Sequence, residues 1–368
     1  MAPSVAIIGT RGYPSYYGGF ETLVRELAPA LCANGWNVTV YGREKSTRNS
    51  DPNRDPRVQN VVTRGIETKS LSTLTYGLSS TVSAATSKPD VALVMNVANG
   101  FWLPILKSRR VPTVVNVDGI EWERAKWGRG AKAAFRSGAR MTARYADRLI
   151  VDARAIGHRW ASEFGRRGDY IPYGGTIPPE VHANPNMSEK PYILMVARFV
   201  PENSIVEFFA AAEFLARKWQ IIIVGSSGYG GRYDQMAENL QERHENVKWL
   251  GHVSNDDLLF ALWQNAGAYF HGHSVGGTNP ALVQAMACGA PIVARDTVFN
   301  REVLGDAGHF VRPDPLEIVR ALDKVMENPS VSARLRKSAQ ARQLEYFTWE
   351  LVCKNYESAL AETAGLKT

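Results

Sequence analysis

Short apolar runs alternate along the chain with longer stretches in which apolar positions recur at helical spacing. The short runs predict buried β-strands, and the longer stretches predict amphipathic helices. In the first half the predicted strands are Val5–Gly9, Asn37–Tyr41, Val58–Thr63, Val91–Met95, Thr113–Asn116 and Arg148–Val151. The helices predicted between them are Phe20–Ala33, Leu71–Ala85, Lys126–Ala146 and Ala155–Phe164. This order predicts an α/β domain with a parallel, doubly wound sheet.

A segment rich in proline and glycine, residues 171–191, interrupts the alternation and has the composition of a linker. The alternation then resumes, and the tail from 315 to 364 is nearly all helical. Strands are predicted at Tyr192–Val196, Gln220–Val224, Val247–Leu250, Ala268–Phe270 and Pro291–Ala294, and helices at Ser204–Arg217, Tyr233–Arg243, Asp256–Gln264 and Ala281–Cys288. We therefore expect two Rossmann-like domains, 1–175 and 176–345, facing a cleft, with ligands at the carboxyl ends of the strands.

The composition narrows the class of protein. A chain of 368 residues with 45% apolar and 21% charged residues fits a soluble protein of two domains. It has no apolar run of about 18 residues that would span a membrane, and its N-terminus lacks the pattern of a secretion signal. The three cysteines are far apart, which favours reduced core residues and a cytoplasmic location and excludes a paired metal site.

The positive charge is concentrated in one segment. Residues 101–167 contain 15 Lys and Arg but only six Asp and Glu, while the whole chain has a net charge of +7. Six basic residues recur every three or four positions, which places them along one helical stripe: Arg129, Lys132, Arg136, Arg140, Arg144 and Arg148. The stripe is either a solvated helix face or a surface, residues 126–148, that attracts anionic lipid headgroups or a pyrophosphate-linked lipid acceptor. No nucleic-acid-binding module accompanies it, so nucleic acid is not expected as a partner.

Residues 272–291, GHSVGGTNPALVQAMACGAP, connect a predicted strand to a predicted helix. The free N–H groups and the positive dipole end of a helix start suit a phosphate. Gly276 and Gly277 permit close backbone approach, Asn279 can cap the helix, and Pro280 suits its first position. The alternative is an ordinary, well-capped turn. His271 and His273 share one face of the strand end, where packing or a donor contact is favoured over a metal.

Two more loops at predicted strand ends carry candidate ligand groups. Arg198 follows a strand and can hold a phosphate through two parallel hydrogen bonds, unless it is an ordinary surface arginine. The N-terminal loop IGTRGYPSYYGGFETL is rich in glycine, but it lacks the G-x-G-x-x-G spacing of a dinucleotide site. Loops of this kind in both halves favour one shared ligand.

Several motifs together resemble a known family. The stretches VARFVPEN, VKWLGHVSNDDL and GTNPALVQAMACGAPIVA resemble the donor-binding half of the retaining glycosyltransferase family 4, which has the GT-B fold. VAIIGTRGYPSYYGGFETLVRELAPAL and VVNVDGIEWERAKWGR resemble its rhamnosyltransferase-like branch, found in bacterial surface-polysaccharide assembly. The resemblance covers essentially the full length. It implies a nucleotide-diphosphate-sugar donor, and a helix in 346–368 that crosses back to the first domain.

The resemblance also implies roles for single residues. Arg198 binds the donor diphosphate, and Val253 reads the nucleobase through its backbone. Asn203 stands where a phosphate-binding lysine is usual, and Gly276 and Gln284 stand where two glutamates contact the donor sugar and the ribose. Backbone groups of the loop then replace the first glutamate. The other donor-binding positions are Gly18, Gly19, His273, Gly277, Thr278 and Asn279.

The resemblance implies transfer without a metal or another cofactor, since family members attack on the same face with no protein nucleophile. The chain contains no D-x-D motif, which disfavours metal-dependent transfer. Asp118 follows a strand where relatives often carry a histidine, so it can orient or deprotonate a hydroxyl of a lipid-linked or glycan acceptor, or else simply cap a turn. Glu121 is the second candidate. The expected donor is dTDP-L-rhamnose; a nucleotide-sugar epimerase and a noncatalytic binding protein are the alternatives.

Overall fold

The computed structural model describes residues 2–16, 18–47, 50–67, 72–124, 127–179, 191–228 and 230–366. The chain divides into two compact units, the first formed by Met1–Tyr173 with Trp349–Thr368 and the second by Gly174–Thr348. Part of the predicted linker, residues 180–190, lies outside the described residues, as do the helix positions Leu71 and Lys126.

The first unit is built on a parallel sheet of seven strands in the order β3-β2-β1-β4-β5-β6-β7. The strands are β1 (Ser4–Ile8), β2 (Asn37–Arg43), β3 (Gln59–Thr63), β4 (Val91–Met95), β5 (Thr113–Asn116), β6 (Arg148–Val151) and β7 (Asp169–Tyr170). The helices before the second unit are α1 (Gly19–Ala33), α2 (Ser72–Ser87), α3 (Leu103–Ser108), α4 (Arg129–Tyr145) and α5 (Arg154–Phe164). Strand β4 is buried along its whole length, as a central strand covered on both faces must be.

The second unit repeats this architecture with six strands in the order β10-β9-β8-β11-β12-β13. The strands are β8 (Tyr192–Val196), β9 (Gln220–Val224), β10 (Val247–Trp249), β11 (Ala268–His271), β12 (Ile292–Arg295) and β13 (His309–Val311). The helices are α6 (Ile205–Leu215), α7 (Arg232–Arg243), α8 (Asp256–Asn265), α9 (Pro280–Ala287), α10 (Val298–Leu304), α11 (Pro315–Glu327) and α12 (Pro329–Tyr346). All pairings in both sheets are parallel, which confirms the predicted pair of doubly wound domains.

The last helix, α13 (Trp349–Thr363), belongs to the first unit. Its buried face, which includes Val352, Tyr356 and Leu360, joins the core formed by α1 and the sheet. Glu357 accepts hydrogen bonds from Trp36 Nε1 at 3.1 Å and from Asn34 Nδ2 at 2.6 Å. The core of the first unit is therefore completed by residues that follow the second unit in sequence.

The predicted basic stripe is wrong at one end. Helix α4 ends at Tyr145, and Arg148 lies on β6, where it forms ion pairs with Asp169 at 2.6 Å and with Glu362 at 2.7 Å. The helix end lies within one residue of the predicted Ala146, and Arg148 cannot belong to the helical stripe because it begins the next strand. Among the described residues, no helix is both long enough and apolar enough to cross a bilayer.

Candidate functional site

In the second unit, the loops after four neighbouring strands meet at one edge of the sheet. Glycine at position 225, just after β9, makes this possible, since its φ of +133° suits glycine and an added Cβ would lie 1.8 Å from the Ala197 carbonyl oxygen. The Gly225 amide donates to the Gly251 carbonyl at 2.7 Å, which joins the loops after β9 and β10. The segment that carries Val253 is thus held near the loop that carries Arg198.

Arg198 is exposed at the end of β8, and its guanidinium forms no ion pair or hydrogen bond with a described residue. Its carbonyl oxygen accepts hydrogen bonds from the Val200 amide at 2.9 Å and from Asn203 Nδ2 at 2.8 Å. Asn203 is only 2% exposed. The side chain that stands in the place of a phosphate-binding lysine therefore fixes the backbone of Arg198.

The loop after β11 is fastened to the Arg198 loop. The backbone amide and the hydroxyl of Ser274 both donate to the Glu202 carbonyl oxygen, at 2.9 and 2.8 Å. Beyond Ser274, the amides of Gly276 and Gly277 make no hydrogen bond with a described residue, and Gly276 has a φ of +103°. Unpaired amides and the Arg198 guanidinium thus lie on two connected loops.

The expected free amides in the first turn of α9 are not free. Asn279 Oδ1 accepts hydrogen bonds from the amides of Ala281 at 2.9 Å and Leu282 at 3.4 Å, while Pro280 has no N–H to offer. Asn279 is therefore the predicted cap, and its side chain occupies the place where a phosphate would bind the helix start. The unpaired amides lie earlier, in the glycine pair, and Thr278 between them and the cap is buried.

The two histidines form a stacked pair at the end of β11, with ring centroids 4.5 Å apart. His271 is 1% exposed, and its Nδ1 lies 3.0 Å from the hydroxyl of Tyr269. Burial lowers the pKa of His271 to about 3, so the ring is neutral at physiological pH. His273 is half-buried in the loop, next to Ser274. Among the described residues, no three His, Cys, Asp or Glu side chains are grouped as metal ligands would be.

Gln284, expected at the ribose, contacts the backbone of Thr176 with both ends of its side-chain amide. Oε1 accepts a hydrogen bond from the Thr176 amide at 3.0 Å, and Nε2 donates to the Thr176 carbonyl at 2.6 Å. A carboxylate cannot make the second bond because it has no hydrogen to donate. Glutamine at this position therefore anchors the segment that opens the second unit.

Gln284→Glu is expected to lower the free energy of unfolding by about 1 kcal/mol, because one hydrogen bond is lost and two carbonyl-type oxygens are brought together. The change in the free energy of unfolding is measured from the urea unfolding transition of the second unit. Gln340→Glu, on the exposed face of α12, is the matched control and is expected to have little effect. Equal unfolding midpoints for both variants would contradict the anchoring role.

One buried acid of this site was missed by sequence reasoning. Glu202 is 8% exposed, and neither carboxylate oxygen has a hydrogen-bond partner among the described residues. Burying an unpaired carboxylate costs free energy of folding, so its position between Arg198 and the Ser274 loop is unusual. The only signal in the sequence was its place in the segment VPEN.

In the first unit, Gly18 and Gly19 begin α1, and the Gly18 carbonyl accepts from the Thr22 amide at 3.0 Å. Glu21, in the same turn, is buried and accepts a hydrogen bond from the Arg11 amide at 3.0 Å. The acid therefore ties the start of α1 to the glycine-rich loop after β1. Gly18 and Gly19 are left half-buried at the entrance of this helix.

Asp118 lies just beyond β5 with a left-handed backbone, φ +58°, which a non-glycine residue adopts only at a cost. Asn116 Oδ1 accepts from the Asp118 amide at 2.9 Å, and Asn116 Nδ2 donates to the Tyr356 hydroxyl at 2.6 Å. Tyr356 of α13 thus positions Asn116, which in turn holds Asp118. The Asp118 carboxylate is half-buried and makes no hydrogen bond with a described residue.

The other candidate acid, Glu121, is held by its neighbours. It is buried, with Oε1 2.6 Å from Arg124 Nε and Oε2 accepting from Trp127 Nε1 at 2.8 Å. Both oxygens are occupied, which favours a structural role. The structure thus gathers Arg198, Asn203, Val253, Gln284 and the 273–279 loop in the second unit, and it places the candidates Gly18, Gly19, Asp118 and Glu121 in the first.

Two family models match the chain in succession. Residues 18–174 match the glycosyl transferase 4-like domain, and residues 179–342 match the glycosyl transferases group 1. O-antigen chain mannosyltransferase B from Escherichia coli is 28% identical over 192 residues, which are 50% of this chain and 49% of that protein. The chain thus spans about half the length of this curated relative.

Solved structures show the fold over nearly the whole chain. Sucrose-phosphate synthase from Thermosynechococcus elongatus superimposes with a TM-score of 0.82 at 19% identity, covering 98% of each chain. Anabaena Alr3699/HepE in complex with UDP-glucose gives a TM-score of 0.74 at 15% identity over 98% of this chain and 100% of that one. The solved structures and the paired parallel sheets show the GT-B fold. Together with the two family models, they show that the chain belongs to the glycosyltransferases of the family 4 type.

Proposed function

We propose that this protein is a retaining, metal-independent glycosyltransferase that moves L-rhamnose from dTDP-L-rhamnose to a lipid-linked or glycan acceptor in surface-polysaccharide assembly. One observation carries the proposal. The exposed Arg198 guanidinium and the amides of Gly276 and Gly277 have no hydrogen-bond partner among the described residues, and they lie on two loops that are bonded to each other. The named function of the Escherichia coli relative, mannosyl transfer in O-antigen assembly, supports the class of reaction.

The chemistry follows from where charge develops. As the bond between the anomeric carbon and the diphosphate breaks, its electron pair leaves with the phosphate oxygen. Fixed positive donors beside that oxygen stabilise the transition state more than the ground state. Arg198 can supply two parallel hydrogen bonds and a full charge, and the two glycine amides supply dipoles that need no reorganisation. The bound UDP-glucose of Alr3699/HepE supports a nucleotide-diphosphate sugar as the donor.

Gln284 supports a deoxyribose donor over a ribose donor. Both polar atoms of its side chain are engaged by Thr176, so only one uncharged lone pair of Oε1 remains for a ribose hydroxyl. A dTDP donor carries one such hydroxyl fewer than a UDP donor and therefore loses less by this arrangement. Rhamnose as the transferred sugar follows from the branch whose motifs the N-terminal loop and the 114–129 segment resemble.

Asp118 is the proposed acid–base group. Its free carboxylate accepts the proton of the acceptor hydroxyl while the acceptor oxygen bonds to the anomeric carbon on the face that the diphosphate leaves. Attack on the same face retains the configuration, so no protein nucleophile is needed. Glu121 is not part of this step, because Arg124 and Trp127 already hold it.

A thermal-shift panel of nucleotides and sugar nucleotides tests the proposed function. At a concentration 100 times its dissociation constant, dTDP-L-rhamnose should add about 2.7 kcal/mol to the free energy of unfolding. UDP- and GDP-sugars serve as comparisons. Each measurement is made without and with EDTA, which removes metal ions. Stabilisation by UDP- or GDP-sugars but not by dTDP compounds would reject rhamnose transfer, and no stabilisation by any nucleotide sugar would reject the class.

We also propose that the exposed basic residues of α4 hold the protein at the inner face of the cell membrane. Arg129, Arg140 and Arg144 are exposed on α4 and form no ion pair with a described residue, whereas Arg136 is bound to Glu163 at 2.7 Å. Each basic residue near an anionic surface contributes about 1 kcal/mol of binding. These three exposed arginines are therefore the proposed membrane-facing set, since Arg136 is paired, Lys132 is half-buried and Arg148 lies on β6.

Changing Arg129, Arg140 and Arg144 to Gln is expected to weaken binding to vesicles with anionic lipids roughly 100-fold at low salt, since about 1 kcal/mol is lost per charge. Co-sedimentation across a range of salt concentrations measures it. The matched control changes Lys324, Arg334 and Lys337, exposed on α11 and α12 of the second unit, to Gln. Equal binding by both triple variants would show that only the net charge of the protein matters.

A further inference from the structure

Tyr173, the last residue of the first unit before the chain enters the second, carries an unused hydroxyl. The residue is 5% exposed and belongs to the core beside α13, yet its hydroxyl makes no hydrogen bond with a described residue. The hydroxyl oxygen is not among the buried side-chain atoms that lack a partner, so it reaches solvent although the ring is buried. A buried ring whose hydroxyl reaches solvent leaves that donor open to a ligand.

The sheet register brings the strand ends that carry Asp118, Asp152 and Tyr173 next to one another. Asn116 of β5 pairs with Ile150 of β6. Asp118 follows Asn116 by two residues and Asp152 follows Ile150 by two residues, so the two acids lie at neighbouring strand ends. The amide of Ile171, after β7, donates to the Val151 carbonyl at 3.0 Å and carries the chain alongside to Tyr173. Three adjacent strand ends of the first unit therefore present two acids and one phenol.

The electrostatics of the phenol agree with this placement. Burial raises the pKa of Tyr173 well above its ordinary value, and the charges of Asp118 and then Asp152 raise it further. The phenol therefore stays protonated and acts only as a donor or a neutral acceptor. Asp118 is half-buried and offers acceptor oxygens that no described residue uses.

An unused donor next to an unused acceptor fits a polyhydroxyl ligand. A metal ion would leave the O–H donor of the phenol unused, and no group of three metal-ligating His, Cys, Asp or Glu side chains occurs among the described residues. A sugar carries adjacent oxygens, of which one can donate to a carboxylate while its neighbour accepts from a phenol.

We infer that Tyr173 and Asp118 bind one pair of adjacent oxygens on the acceptor sugar, with the reacting hydroxyl donating to Asp118 and its neighbour accepting from the Tyr173 hydroxyl. The inference rests on the proposed transfer reaction and adds to it the acceptor class, a glycan end with vicinal oxygens. Tyr173 is then an acceptor-binding residue, and Asn116 and Tyr356 position the carboxylate. The donor site of the second unit is not involved.

Tyr173→Phe tests the inference, since it removes one oxygen and keeps the ring. We expect kcat/KM for the acceptor to fall about tenfold, while the stabilisation by donor nucleotide and the Tm stay unchanged, because the hydroxyl has no partner in the free protein. The matched control is Tyr41→Phe: Tyr41 is also buried in the first unit, but its hydroxyl contacts Ser87 Oγ at 3.2 Å. This variant should lower the Tm and leave the acceptor kcat/KM intact.

A binding experiment separates this inference from the proposed function. In full-length protein labelled with 3-fluorotyrosine, the ¹⁹F signal that Tyr173→Phe removes is followed while methyl α-L-rhamnoside, other methyl glycosides and glycerol are added. A shift of that signal by a glycoside, absent in Asp118→Asn, is the expected result even if no donor is ever turned over. A signal that ignores all the polyols, or an acceptor kcat/KM untouched by Tyr173→Phe, would overturn the inference.

Discussion

Replacing Arg198 with Ala should lower kcat/KM for the sugar-nucleotide donor by two to three orders of magnitude, equivalent to roughly 3–4 kcal/mol of transition-state stabilisation. The physical reason is that the guanidinium is the one exposed cation on the connected loops after β8 and β11 that the described residues leave unpaired. The glycine amides remain, so a residual rate above the uncatalysed reaction is expected. Initial rates of nucleotide release with saturating acceptor measure the effect.

Two further variants sharpen this result. Arg198→Lys keeps the charge but not the paired hydrogen bonds, and we expect it to recover only part of the loss. Arg217→Ala is the matched control, because Arg217 is an exposed arginine of the same unit that lies over the Phe214 ring, away from the strand ends. If Arg198→Ala kept the wild-type kcat/KM and the full nucleotide-induced stabilisation, the proposed diphosphate site would be wrong.

Asp118→Asn is expected to reduce kcat by 10²–10⁴, the range that a positioned general base supplies. The amide keeps the size of the side chain but cannot take a proton from the acceptor. Donor binding should be unaffected, since Asp118 belongs to the first unit, whereas Arg198 and the glycine pair 276–277 belong to the second. Single-turnover rates with a fixed donor concentration, together with the nucleotide-induced thermal shift, separate the two effects.

Glu121→Gln provides the comparison for this experiment. Glu121 is buried and paired with Arg124 and Trp127, so removing its charge should destabilise the first unit more than it slows transfer. Asp118→Asn should show the opposite pattern. If Glu121→Gln reduced kcat as strongly at an unchanged Tm, the assignment of the two acids would have to be exchanged.

Most of the fold could be predicted from apolar periodicity. Strands β4, β5, β6, β8 and β9 have the predicted limits, because each is a compact apolar run buried on both faces. The short elements α3, α10, β7 and β13 were not predicted, since seven residues or fewer give too little pattern to distinguish a helix from a strand or a loop. The end of α4 was predicted within one residue, but Arg148 was wrongly counted in the helical stripe because basic residues continue at helical spacing into β6.

The position of the candidate site was also predictable, but the detailed contacts were not. Loops after parallel strands must meet at one edge, so Arg198 and the glycine pair could be expected together. That Asn203 turns back to the Arg198 carbonyl, and that Gln284 binds Thr176, depends on side-chain directions that residue type leaves open. Tyr173 was overlooked for the same reason, because nothing in its local sequence distinguishes an unused hydroxyl from a satisfied one.

Helix α13 has a consequence for how the protein is made. Its residues Val352, Tyr356 and Leu360 close a core whose other members are translated before residue 174. The ribosome therefore finishes the second unit while the first still exposes the apolar groove on α1 and the sheet. The second unit can mature as an insertion during synthesis, whereas the first has to wait for residues 349–363, and the Tyr356–Asn116 bond that sets Asp118 is among the last contacts to form.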